Sequence, residues 1–94
     1  MDKKTEAAME LLYRSAKNIE TVEDAQFFFK TLFTEKETQL IAQRLYVSKL
    51  LSENKVYSEI VEETGASSAT VSRVKRAMSL DKEYFERLLE SVNE

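Results

Sequence analysis

The chain has no cysteine, no histidine and no proline, and a single glycine, Gly65, in 94 residues. Without cysteine there is no disulfide framework and no thiolate metal site, and without histidine the commonest metal ligand and general base is missing. Hydrolytic and metal chemistry are therefore disfavoured, and no cofactor, metal or catalytic residue is nominated. Paired acids such as Glu62 and Glu63 offer no substitute, because adjacent helical positions diverge by about 100° and do not converge on one substrate atom. One glycine cannot build a phosphate-cradling loop. No segment approaches the ~20 apolar residues needed to span a bilayer, and the opening Met-Asp-Lys-Lys-Thr-Glu has no apolar stretch behind its charges. A soluble, cytoplasmic protein without membrane contact is expected. With breakers almost absent, long helices run uninterrupted, and an all-α fold is predicted.

What is present is 43% hydrophobic residues, enough for one domain over residues 1–94 with a small core that gains from burial against a partner. Ala8, Leu11, Leu12, Ala16 and Ile19 recur at helical spacing and predict an amphipathic helix over Thr5–Ile19. Thr21-Val-Glu-Asp24 resembles a capping box and starts a second helix that turns Val22, Ala25, Phe28, Phe29 and Leu32 inward. Phe27 extends this aromatic run beyond what one small helical face hides. Thr34-Glu-Lys-Glu37 is a second capping box and opens the longest helix, to about Ser52, where Leu40, Ile41, Leu45, Val47, Leu50 and Leu51 occupy more than one stripe. After a polar break at residues 52–55 and the segment 57–78, Asp81 is expected to cap a last helix over 81–93, with Leu80 stapled on Phe85 and Phe85, Leu88, Leu89 and Val92 clamping it to the body.

The segment from Tyr57 to Arg76 reads as two short helices hinged at Gly65, a helix-turn-helix. Ile60, Val61 and Thr64 form an inward face, Gly65 stands where a positive φ is needed, and Ala66 is a small apolar plug. Val71, Val74 and Met78 then recur at i, i+3 and i+7, which leaves Ala69, Ser72, Arg73 and Arg76 on the opposite stripe. Short side chains at the tip and cations beyond them suit a helix entering a major groove about 12 Å wide. The net charge of −3 argues against indiscriminate nucleic-acid binding, yet no acid lies between Gly65 and Leu80. Positive potential is thus concentrated where double-stranded DNA would bind, and Glu59, Glu62 and Glu63 would hold DNA off the first helix. The expected contact set is Ser67, Ser68, Ala69, Thr70, Ser72, Arg73, Lys75 and Arg76.

One recognition helix covers only a few hundred Å², against about 1,000–2,500 Å² of protein surface in specific complexes. Two copies on a dyad reading half-sites about 34–36 Å apart supply the difference. Residues 1–52 are assigned to dimerisation, with Phe27, Phe28, Phe29, Leu40, Ile41 and Leu45 at the interface.

From Phe33 onward the chain resembles the Trp repressor family, most closely its Trp-repressor-like branch labelled YerC/YecD. The resemblance rests on Phe33-Thr-Glu-Lys-Glu37, Arg44, Leu50-Leu51 and, above all, Thr64-Gly-Ala-Ser-Ser-Ala-Thr-Val-Ser-Arg73. It implies an intertwined homodimer of six-helix chains acting as a transcriptional regulator, expected to be a repressor at a palindromic operator. In the Trp repressor nearly all base contacts run through water, so Ser68, Ala69, Thr70 and Ser72 would read DNA with few direct base contacts. The resemblance also carries a tryptophan pocket, in which Arg44 and Arg73 match the arginines that sandwich the indole and Thr34 matches a neighbouring residue. However, Val74 stands where the tryptophan-binding repressor has glycine, and Ala77 where it has a serine near the ligand's amino group. The first fills ligand space and the second removes a polar contact. L-tryptophan is therefore not expected as corepressor, the effector is left unassigned, and Arg44 and Arg73 are read as structural or phosphate-contacting. The competing expectation is a helical interaction module that docks on the transcription machinery through its aromatic surface.

Overall fold

The structure, a computed structural model, describes residues 1–92. Among them lie α1 (Lys3–Lys17), α2 (Val22–Leu32), α3 (Glu35–Ser52), α4 (Tyr57–Thr64), α5 (Ser68–Leu80) and α6 (Lys82–Val92), with no strand. Asn93, the expected end of the last helix, is outside the described residues. The chain divides into two compact units at Thr38 and Gln39, a boundary that falls within α3.

In the first unit, helix starts are set by side chains that accept from otherwise orphaned amides. The Asp2 carboxylate accepts from the Thr5 amide at 2.7 Å, so α1 begins ahead of the expected Thr5. That bond also holds the Asp2 carboxyl below the ordinary carboxylate range. Thr21 caps α2 by accepting from the Asp24 amide at 3.0 Å. Ahead of α3 the capping box is reciprocal: the Glu37 amide donates to Thr34 Oγ1 at 3.1 Å and the Thr34 amide donates to Glu37 Oε1 at 2.8 Å. The same pair of bonds lowers the Glu37 carboxyl pKa.

Neither α1 nor α2 contains a buried residue. Phe28, Phe29 and Phe33 form an aromatic cluster, with ring centroids 5.7 Å apart for Phe28–Phe29 and 5.0 Å for Phe29–Phe33. Ala25, Phe28 and Phe29 are half-buried as expected, but Val22 and Leu32, assigned inward, are 76% and 62% exposed. The α1 stripe departs likewise, Leu12 and Ile19 being half-buried while Ala8, Leu11 and Ala16 are exposed. Within this unit a two-helix layer has no further layer to close over it, so periodicity names a face that the unit alone does not cover.

The second unit holds a contiguous core of Val47, Leu50, Ile60, Ala66, Val71 and Val74, against which Leu51, Val61 and Met78 pack. Ser48 is buried among apolar groups, and its hydroxyl donates to the Leu45 carbonyl at 2.6 Å, which removes the penalty of an unpaired polar atom. Helix α3 ends on Asn54 in the left-handed region, φ 63°. The Lys55 amide donates to the Leu50 carbonyl and the Asn54 amide to the Leu51 carbonyl, the two bonds of a Schellman motif.

The junction of α5 and α6 departs from expectation. Helix α5 continues past Met78 to Leu80, and Leu80 is 78% exposed rather than stapled on Phe85. Asp81, at φ −125° and ψ 45°, closes α5 and has no side-chain cap bond among the described residues. Its carbonyl instead accepts from the Phe85 amide at 3.1 Å. A single irregular residue leaves no extended approach segment from which a cap and staple can be built. Leu89 is buried and Phe85 and Leu88 are half-buried, but Val92, assigned to the clamping face, is 56% exposed.

Candidate nucleic-acid interface

Helix α4 ends on Gly65 at φ 74°, with the Gly65 amide donating to the Val61 carbonyl at 2.9 Å. Glycine is required here by the dihedral rather than by space: a Cβ would meet only Gln43 Nε2, at 3.9 Å. The Thr64 hydroxyl donates to the Ile60 carbonyl at 2.7 Å and accepts from the Ala66 amide at 3.1 Å, while Gln43 Nε2 donates to the Thr64 carbonyl at 3.1 Å. Three polar groups around the turn are thus satisfied by two side chains, and Ala66, 2% exposed, fills the space behind it.

Ser67 then opens α5. Its hydroxyl accepts from the Thr70 amide at 3.1 Å and donates to Thr70 Oγ1 at 3.0 Å. Ile60 and Val71 are fully buried and Val74 is 8% exposed, which fixes the rotation of α5 about its axis. The opposite face therefore turns to solvent: Ser68, Ala69, Ser72, Arg73 and Arg76 are all exposed, and Thr70 is half-buried on the flank. Arg73 and Arg76 form no ion pair with any described residue, so their charge is not neutralised among the described residues. Lys75 sits elsewhere. About 70° around the helix from the core direction, its ammonium lies 5.6 Å from the Tyr57 ring centroid.

The other nominated residues are distributed as follows. Arg44 on α3 and Arg73 on α5 are both exposed residues of the second unit. Thr34 belongs to the first unit, where its hydroxyl serves the α3 cap. Phe27 is 61% exposed, Phe28 and Phe29 are half-buried, and Leu40, Ile41 and Leu45 are exposed. Val74 belongs to the core cluster, whereas Ala77 is exposed.

Two supporting contacts were not anticipated. Gln43 lies one turn before Val47 on the inward stripe of α3, and that i, i+4 spacing was a signal for its reach to the turn. The Tyr46 hydroxyl donates to the Glu63 carboxylate at 3.1 Å, tying α3 to α4. That bond, reinforced by the carboxylate's charge, raises the phenol pKa above its ordinary value.

The family model for the Trp repressor protein matches residues 7–93. The chain belongs to the Trp repressor family. Among relatives of this Trp-repressor-family chain, the uncharacterized protein YerC of Bacillus subtilis (strain 168) is 38% identical over 94 residues, covering 100% of this chain and 90% of YerC. A solved structure of a TrpR-like protein from Eubacterium eligens ATCC 27750 superposes with a TM-score of 0.84 at 33% identity, covering 93% of this chain and 90% of that one. A candidate Trp repressor from Staphylococcus aureus gives a TM-score of 0.84 at 36% identity, covering 93% and 87%. The six-helix, strand-free fold expected from the sequence is thus that of TrpR-like proteins, and membership of this family points to a DNA-binding regulator.

Proposed function

We propose that this Trp-repressor-family chain is a sequence-specific regulator of transcription rather than an enzyme. It works in the cytoplasm as a homodimer that represses at a palindromic operator without L-tryptophan. The observation that carries the proposal is the outward face of α5: small side chains at its N-terminal end, then Arg73 and Arg76, solvent-exposed and unpaired among the described residues, immediately after a left-handed glycine hinge. In this helix-turn-helix, Ser68, Ala69, Thr70 and Ser72 approach base edges while the arginines take phosphates. Ser67 and Thr70 spend part of their hydrogen-bonding capacity on the cap, but Thr70 Oγ1 keeps its own proton to donate.

The homodimer is supported by Phe27, Leu40, Ile41 and Leu45, large apolar groups left exposed in a single chain. Residues 1–52 would then act in pairing and residues 57–78 in reading DNA, with 81–93 packing behind. Independence from tryptophan is supported by Val74, which is committed to the core where a glycine would leave room, and by Ala77, which has no polar atom in its side chain to meet an ammonium. Arg44 and Arg73 then serve phosphates or the scaffold rather than an indole.

Selection of bound sequences from random duplex DNA provides the operator, and a recovered palindrome with half-site centres one helical turn apart is expected. On that duplex, log Kobs should fall linearly with log salt, with a slope of about −0.9 per phosphate contact. Arg73→Ala and Arg76→Ala should each weaken binding, reducing the slope by about 2 because a dimer loses two contacts. Unchanged affinity in both variants would refute the DNA-reading face. The exposed Phe27 also suits an interaction module that docks on another protein, and binding that is indifferent to salt would favour that alternative. In calorimetry, tryptophan should give no saturable heat at micromolar concentration.

A further inference from the structure

Away from the outward face of α5, the second unit has two adjoining clefts of about 490 and 460 Å³. Leu51, Met78 and Lys82 line both. The larger continues over Phe85 and Leu89 on α6 and carries Glu86 and Glu90. The smaller is lined by Lys55, Tyr57 and Lys75 and by no acidic residue. None of Lys55, Lys75 and Lys82 forms an ion pair with a described residue. The groove is therefore unevenly charged along its length over an apolar floor, with Lys55 and Lys75 in the acid-free cleft, Lys82 where the two clefts adjoin, and Glu86 and Glu90 in the larger cleft.

We propose that this groove binds an amphipathic organic anion, one acidic headgroup carried on an apolar body. Lys55, Lys75 and Lys82 take the headgroup. The apolar body lies on Leu51 and Met78 toward Phe85 and Leu89, and Glu86 and Glu90 prevent the reverse orientation. Each cleft falls in the ~300–1,000 Å³ range of small-molecule sites, and a mainly apolar floor with a few convergent charges is the composition that gives such sites both affinity and orientation. Inorganic anions lack the apolar body and neutral hydrophobes lack the charge, so neither satisfies the groove. Lys75 joins this site through its position over Tyr57, which orients the ammonium toward α4. The proposal is tested apart from the DNA-binding one through Lys55 and Lys82, since of the three lysines only Lys75 belongs to the expected DNA-contact set.

The test uses the full 94-residue protein, with 8-anilinonaphthalene-1-sulfonate as anionic probe and N-phenyl-1-naphthylamine as its uncharged counterpart. The sulfonate should bind saturably at one site per chain. The Lys55→Ala/Lys82→Ala double variant should weaken it at least about tenfold, the scale of two lost charge contacts. Lys17→Ala, on α1, should leave it unchanged. Octanoate should displace the probe where acetate at equal concentration does not. Saturable binding that ignores the double variant, equal affinity for the neutral probe, or equal displacement by acetate would each overturn the proposal. So would the absence of saturable binding. All three lysines are exposed or rim residues, so far-UV circular dichroism of the variants should match the parent, and a variant with an altered spectrum is replaced by Lys→Gln at the same position.

Discussion

At Gly65 and Asn54 the same left-handed backbone is occupied by two different residues, at φ 74° and φ 63°, and the consequences are opposite. Alanine at position 65 would have space, but its Cβ would crowd its own carbonyl, at a cost of about 1–2 kcal/mol. Gly65→Ala should therefore lower the urea-unfolding free energy by that amount. Asn54→Gly removes the Cβ penalty from a Schellman position, and should raise stability by up to about 1 kcal/mol in the same assay. Tyr46 supplies a pH signature. Its phenol pKa is raised, first by the hydrogen bond to Glu63 and then by that carboxylate's charge. A group with a raised folded pKa contributes fully below its unfolded value, near 10, and loses that contribution as pH rises through the folded value. The stability gap between the parent and Tyr46→Phe should thus hold from about pH 7 to about pH 9 and shrink above about pH 10. A gap that persists unchanged to high pH would show that the hydroxyl bond contributes nothing.

At the scale of the helix, ends were legible wherever the start signal is a local side chain. Thr34 with Glu37, Thr21 with Asp24 and Ser67 with Thr70 all form cap bonds, because an acceptor and an amide three residues on lie within one turn and need no tertiary help. Asp2 is the same kind of signal, and it sets the start of α1 ahead of Thr5. Asp81 is the counterexample. A lone acid between two helices reads as a cap, but here α5 runs directly into it and the extended geometry a cap needs is not available. Ser67→Ala should destabilise the protein by about 1 kcal/mol and weaken operator binding through fraying of the first turn of α5. Thermal melts and anisotropy titrations of the same preparation should separate the two effects.

For the whole molecule, the decisive quantity is how much apolar surface a single chain leaves uncovered. Phe27, Val22, Leu32 and Leu11 are each more than 60% exposed, and no residue of α1 or α2 is buried. If a second copy covers this surface, folding and association are linked, and the melting temperature must rise with protein concentration. Sedimentation should give a dimer, and Phe27→Glu should shift it toward monomer and lower the melting temperature by several degrees, since a buried unpaired carboxylate is costly. A concentration-independent melt at monomer mass would exclude the homodimer.

The all-helical class, most helix boundaries, the hinge and the stripe opposed to Val71 and Val74 were determined by sequence alone. Each depends on period, breakers or caps, which act within a few residues. Tertiary structure decided what those local rules leave open. It assigned Gln43 to the Thr64 carbonyl and Tyr46 to Glu63, placed the Lys75 ammonium over the Tyr57 ring, and left Val22 and Leu32 without cover. These outcomes depend on which helix lies against which. Periodicity states that a face is apolar, and only packing determines whether anything covers it.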